Sequence, residues 1–265
     1  MLLDFTLYQT LVVACLFVWT GFVRTGLGFG GAALGLPLLL FVQNDPRLWL
    51  PIISVHLLFF SGLTLRTRLH NVDWHYLRQT SVYIIPPAVV GVFGLINLPI
   101  LWLNGFIYSI TLFYGFMWLF NRSIESHHTW VDKLLLIIGG YVAGTSLTGA
   151  PLMVAVYMRH VSKEKLRDTL FFLWFILVSI KMTTFIALSV TLHFYAALSL
   201  IPVAAIGHLL GLKAHAAIMR NDLVFKRCLG GGLVVVSALG LANLGLLKQL
   251  NTGFDVMKGL LLHFV

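Results

Sequence analysis

The residue types best suited to chemistry in this chain gather at two glycine-rich interruptions of apolar sequence, Gly26-Leu27-Gly28-Phe29-Gly30-Gly31 and Gly144-Thr145-Ser146-Leu147-Thr148-Gly149. Glycine removes the Cβ that keeps a ligand off the backbone, and a helix starting after such a break directs free N–H groups and the positive end of its dipole at it. An anion is stabilised there. Gly26, Gly28, Gly30 and Gly31 in the first break, and Gly144, Thr145, Ser146, Thr148 and Gly149 in the second, are the expected substrate contacts, with hydroxyl donors concentrated in the second. The competing explanation is close helix packing, which small residues serve equally well. Repetition of the whole pattern favours a site.

Two cations lie apart from the basic loops. Arg24 abuts the first break, and Lys181 sits within the apolar run from Leu173 to Val190, about 20 Å of helix beyond Arg167. A charge at that depth is costly unless paired or functional. Both are expected counter-charges for an anion; the alternative, snorkelling to an interface, is stronger for Arg24. Past Asp4 no acidic residue falls within the expected membrane segments, which argues against a carboxylate-built cation site. His56 and His208 are candidate proton-coupling groups because imidazole titrates near neutrality, with a hydrogen-bonded packing role as the ordinary alternative. His208 and His215 share a helical face, but two histidines without further ligands do not make a metal site, and no metal or cofactor is expected.

An intramembrane hydrolase using Ser146 is an alternative class. Gly144-Thr145-Ser146-Leu147-Thr148 lacks the final glycine of a G-x-S-x-G elbow, however, and the sequence places no histidine beside it. No catalytic residue is expected, and no GxxxxGK[ST] loop is present to couple transport to nucleotide hydrolysis.

The elements that must hold these residues are membrane helices. The 265-residue chain is 59% apolar and 10% charged, with mean hydropathy +0.93, far from the roughly one-quarter charged residues of a soluble domain. Its net charge of +9 comes from basic residues set between apolar runs, which points to membrane orientation and not to nucleic acid. Cys15 and Cys228 form no CxxC or metal spacing and are expected as packed small hydrophobes. Apolar segments run over 5–21, 27–42, 48–65, 79–97, 100–120, 133–146, 147–158, 169–190, 194–212 and 229–247. Six are credible spans; the other four form two pairs, each joined by a glycine-rich break and each arm short for a crossing. Trp49, Trp74, Trp102, Trp118 and Trp130 fall near span ends, as interfacial anchors do.

Gly26, Gly30, Gly35 and Pro37 recur 114 residues later as Gly140, Gly144, Gly149 and Pro151, and Pro86 and Gly91 recur 116 later as Pro202 and Gly207. This predicts a duplicated unit, 1–121 and 133–247, joined by a cytoplasmic loop 122–132 and followed by a tail 248–265. Pro37, Pro151, Pro86 and Pro202 are the expected structural helix breaks. Thirteen of the 18 Lys and Arg residues lie in the segments 66–78, 122–133, 159–167 and 213–227. If each broken pair is a hairpin, all four segments face the cytoplasm and the second copy is inverted relative to the first. The expectation is an all-α polytopic bundle of two inverted repeats, with about eight spans, or six full spans plus two hairpins. Lys248 and Lys258 strain that topology.

Gly28-Phe29-Gly30-Gly31 with Pro37, the copy ending Gly149-Ala150-Pro151, and Asn71-Val72-Asp73-Trp74 opening the next span resemble the TauE/SafE sulfite exporter family over nearly the whole chain. The resemblance implies a duplicated carrier in a prokaryotic cytoplasmic membrane acting on sulfite, sulfonates or related sulfur anions. Together with the breaks it predicts a secondary transporter working by alternating access, with an anion channel as an alternative. The expected partners are a small anion, the lipid bilayer and a coupling ion, for which a proton is the candidate; nucleic acid is not among them, and a homo-oligomer stays open.

Overall fold

The computed structural model describes residues 5–27, 31–122, 124, 128–220 and 222–245, and the regular structure within them is helical. The helices are α1 (Leu7–Leu27), α2 (Gly31–Val42), α3 (Pro46–Leu65), α4 (Trp74–Asn97), α5 (Ile100–Leu119), α6 (Thr129–Ser146), α7 (Ala150–His160), α8 (Lys163–Ala187), α9 (Phe194–Arg220) and α10 (Asp222–Asn243), with a 3-10 turn at Leu69–Asn71. Among the described residues seven helices are long and apolar enough to cross a membrane: α1, α3, α4, α5, α8, α9 and α10. The protein is an all-helical, multi-pass membrane protein. At 21 residues α1 exceeds the short arm expected of it, whereas α2 and α7, at 12 and 11, are too short to cross. Gly28, Gly30 and the tail 248–265 lie outside the described residues.

Local chemistry starts the long helices where it should. The Asp45 carboxylate accepts the Arg47 N–H at 2.9 Å with Pro46 in the first turn, and Asp73 accepts the Tyr76 N–H at 3.0 Å. The prolines do not behave as the sequence predicted. Pro37, Pro86 and Pro202 lie inside α2, α4 and α9, each helix continuing through its proline. A missing N–H removes a single bond, and a helix packed among neighbours retains the rest. Pro151 alone stands at a boundary, in the first turn of α7, where an absent N–H leaves nothing unsatisfied. The second break is made by Leu147, in the left-handed region at φ 60°, whose N–H closes α6 onto the Ala143 carbonyl.

The contacts between links sort the bundle into two ends. At one end Arg47 donates to the Leu98 carbonyl at 2.7 Å, Asn104 donates to the Asn44 side chain at 2.6 Å, and Asp45, Arg47 and His193 border one cavity. That end holds the α2–α3, α4–α5 and α8–α9 links. At the other, Asn71 donates to Asp168 at 3.0 Å, the Asp73 N–H donates to Thr169 at 2.9 Å, and Asp132 takes Arg159 at 2.8 Å and His160 at 2.9 Å. All four basic segments of the sequence converge on this second, basic end. The Asp132 contacts also show that α6 and α7 form a hairpin, leaving at the end it entered; α1 and α2 do likewise, with Gly31 and Gly35 of α2 packed on Thr20 and Arg24 of α1.

Glycines set the helix crossings. Gly21 lies under the Ala204 carbonyl and Gly211 under that of Phe22, so α1 and α9 run side by side in the same direction. Gly140 on Ile84 and Gly91 on Tyr141 do the same for α6 and α4, while Gly115 and Gly230 bring α5 and α10 together antiparallel. These crossings explain a mismatch with the sequence. Leu27 and Ser146, the ends of α1 and α6, lie 119 residues apart, as do the starts of α2 and α7, so the breaks do not align at the 114-residue spacing. Among the described residues, the glycines matched at that spacing serve helix packing: Gly26 and Gly140 at the α1–α9 and α6–α4 crossings, Gly35 and Gly149 within their own hairpins.

Three smaller expectations are corrected. Trp49 is fully buried, its Nε1 donating to the Gln43 carbonyl at 2.8 Å, so it is a core group and not an interfacial anchor. Cys15 and Cys228 are exposed and not packed. α6 starts at Thr129, inside the expected linker, and with α8 it brings in the buried carboxylates Asp132 and Asp168; both lie at the basic end beside cations.

Candidate functional site

The two hairpins meet at their turns. Arg24, Gly31 and Ala32 of the first and Ala143, Leu147 and Ala150 of the second border a cavity of about 40 Å³. It is completed by Leu57 and Ser61 from α3 and by Phe171, Trp174, Leu177 and Val178 from α8. A water needs roughly 10–15 Å³ on this measure, so the space suits a solute of about three or four heavy atoms. The starts of α2 and α7 thus border one small chamber, walled by apolar side chains and carrying one cation and one hydroxyl. Among the described residues no carboxylate lines it.

Arg24 is the cation. It is 7% exposed, its guanidinium carbon sits 4.0 Å from the Phe60 ring centroid, and its Nη2 has no hydrogen-bond partner. It does not snorkel to an interface. Aromatic stacking offsets part of the cost of burial, yet a buried guanidinium N–H without an acceptor is the kind of group that calls for a ligand. Gly31 makes the placement possible, because a Cβ there would lie 2.8 Å from the Arg24 Cβ and 3.0 Å from the Thr20 carbonyl oxygen.

The other predicted site residues divide. Thr25, next to Arg24, shares a 2.6 Å hydrogen bond with His208 Nδ1, and the His208 ring lies 5.3 Å from Phe60. His56 pairs through Nε2 with the Ala197 carbonyl at 2.7 Å, and its ring lies 4.8 Å from that of Phe17 and 6.4 Å from that of Phe60. Both histidines therefore lie around the ring that carries Arg24. Gly26 packs near Gly211, Gly144 against Ala88, and Gly149 against Gly139 and Ala143, all of them close helix approaches. Thr145 donates to the Tyr141 carbonyl at 2.9 Å, and Ser146 donates to that of Val142 at 3.0 Å while sharing a 2.6 Å bond with Thr148. These hydroxyls are engaged within their own hairpin. Lys181 is 1% exposed with an unpartnered Nζ, but it lies outside the chamber, a helical turn beyond Val178.

Sequence reasoning missed the α3 and α8 walls. Two signals pointed to them: Ser61 is a polar residue inside an apolar span, and Trp174 lies within a span where the other tryptophans assigned a role fall near span ends.

The family model of the sulfite exporter TauE/SafE matches residues 13–240, which take in both hairpin turns and the residues described around the chamber. The chain belongs to the TauE/SafE family. TauE/SafE is a family of membrane transporters and not of enzymes. No curated protein and no solved structure matches it. In this TauE/SafE protein, Arg24 and the two hairpin turns border the same chamber.

Proposed function

We propose that this TauE/SafE protein is a secondary transporter that carries a small sulfur oxyanion such as sulfite across a prokaryotic cytoplasmic membrane by alternating access. The observation that carries the proposal is Arg24, a buried guanidinium with an unpartnered N–H at a chamber bordered by the starts of α2 and α7. Charge-assisted hydrogen bonds from arginine suit an oxyanion, and positive helix ends add to the field. The chamber's size favours an inorganic oxyanion over a longer organosulfonate.

Alternating access draws on two halves, α1–α5 and α6–α10, in inverted orientation. Supporting this, α1 and α3 start at the Arg47 end while α6 and α8 start at the basic end, and α1 packs on α9 as α6 packs on α4. The positive-inside rule makes the basic end cytoplasmic. His208 and His56 are the candidate proton-coupling groups, being arranged with Arg24 around Phe60.

The test is flux into proteoliposomes holding the purified protein. Saturable sulfite transport is expected, with competition from other small oxyanions and little from taurine-sized sulfonates. Saturable cation flux with no anion flux would overturn the proposal.

A further inference from the structure

The two halves differ in one packing arrangement, and the difference has a direction. α2 is closed against both α5 and α10: Leu34 clusters with Leu229 and Leu233, Tyr108 donates to the Pro37 carbonyl at 3.4 Å, and its ring lies 6.0 Å from Phe41. α7, the equivalent short helix, packs on α6 and α8 instead, and only Leu152 near its start joins a cluster with Tyr114 of α5. Where α7 would meet α5 and α10 there is a cavity of about 510 Å³ at the basic end.

Among the described residues three cations border that cavity, Arg122 after α5, Arg159 at the end of α7 and Lys226 of α10; Arg159 also pairs with Asp132. Tyr114, 2% exposed and with no partner for its hydroxyl, forms part of the wall. At its inner limit the cavity is lined by Pro151, whose neighbour Ala150 lines the chamber beside Arg24. The first turn of α7 therefore stands between a wide basic cavity and the small chamber.

We infer that this cavity is the anion's route from the basic end to the chamber, and that α7 is the moving gate. Resting on the transport proposal, the inference assigns this structure to the state open toward the basic end. Basic groups around a low-dielectric cleft raise the local concentration of anions, and Arg122, Arg159 and Lys226 supply that field. Packed helices have discrete arrangements, and the closed one is visible on the other half: α7 would seat on α5 and α10 as α2 does, while α2 lifts from the same two helices at the opposite end.

The experiment uses the full chain with Cys15→Ser and Cys228→Ser, since both cysteines are exposed. Ala155→Cys in the cavity wall is added, and a membrane-impermeant thiol reagent is applied to oriented proteoliposomes. Labelling from the basic end alone is expected, with sulfate, an oxyanion inert to thiol reagents, slowing it several-fold and the label cutting sulfite flux about tenfold once excess reagent is removed. A second variant, Met117→Cys with Ala155→Cys, bridged across the cavity by a bis-maleimide with a periodate-cleavable diol, should lose flux and regain it on cleavage. Labelling from the Arg47 end, labelling that leaves flux intact, or flux unaffected by the bridge would each overturn the inference. So would protection by anionic phospholipid but not by sulfate, which would make the cavity a lipid site. Absence of anion flux in the unlabelled parent would instead overturn the transport proposal itself.

Discussion

The two hairpin turns face one chamber with different chemistry. The first contributes Arg24 with Gly31 folded tightly against it; at the equivalent places, 119 residues on, the second has Ala143 and Ala150. The second contributes hydroxyls, yet Ser146 and Thr148 bond to each other and to the Val142 carbonyl, not outward. One hairpin is built to hold charge and the other to hold shape. Two hairpins of similar course can thus give a polarised site, because a shared backbone course leaves the side chains free to differ.

Arg24→Gln tests the charged half of this comparison most severely. Losing a buried charge that acts on the solute should lower sulfite flux about a hundredfold, from charge-assisted bonds of roughly 1.5–3 kcal/mol. Flux within twofold of the parent would show that the first hairpin holds no substrate charge. Gly31→Ala asks whether tight folding matters: the new Cβ crowds Arg24, and flux should fall about tenfold through an overpacking cost on the order of 1–3 kcal/mol. Ala150→Gly, the reverse exchange at the equivalent place, should leave flux within about twofold, the removed methyl group having held no cation in place.

For the shape-holding half, Asp132→Asn removes the partner of Arg159 and His160 that ties α6 to α7. It should cost about 1–2 kcal/mol in unfolding, between the values for an exposed pair and for a fully buried one because Arg159 is partly exposed. Thermal unfolding in detergent measures it; no change would mean that the hairpin is held by packing alone. Ser146→Ala should have the smallest effect, about 1 kcal/mol of stability with flux retained, as for one internal hydrogen bond. Abolished flux at unchanged stability would give Ser146 a chemical role that its partners do not support.

Much of this was legible in the sequence. The apolar runs marked six of the seven long helices, the basic segments one charged end, and Arg24 stood out as a cation beside a break. What was not legible is where each glycine faces. Gly140, Gly144 and Gly149 look like Gly26, Gly30 and Gly35 because small residues recur wherever helices cross closely, and crossings outnumber sites. Hydroxyls misled for a related reason: Thr145 and Ser146 satisfy themselves on carbonyls one turn back, an option open to them in any apolar helix. The chamber's far wall was hidden because Leu57, Phe171 and Leu177 are chemically indistinguishable from core residues until the fold brings them together.

The interleaving of the halves has a consequence for how the chain is made. α1 packs along α9 and α6 along α4, so neither half carries the principal partner of its own first helix. During synthesis α1 enters the bilayer with the glycine face that α9 will cover still bare, and that face waits while α2 to α8 are made. Separately produced halves should consequently be degraded alone and recovered only when co-expressed. Quality control in the cell then reads completion of the chain itself as the signal of correct assembly.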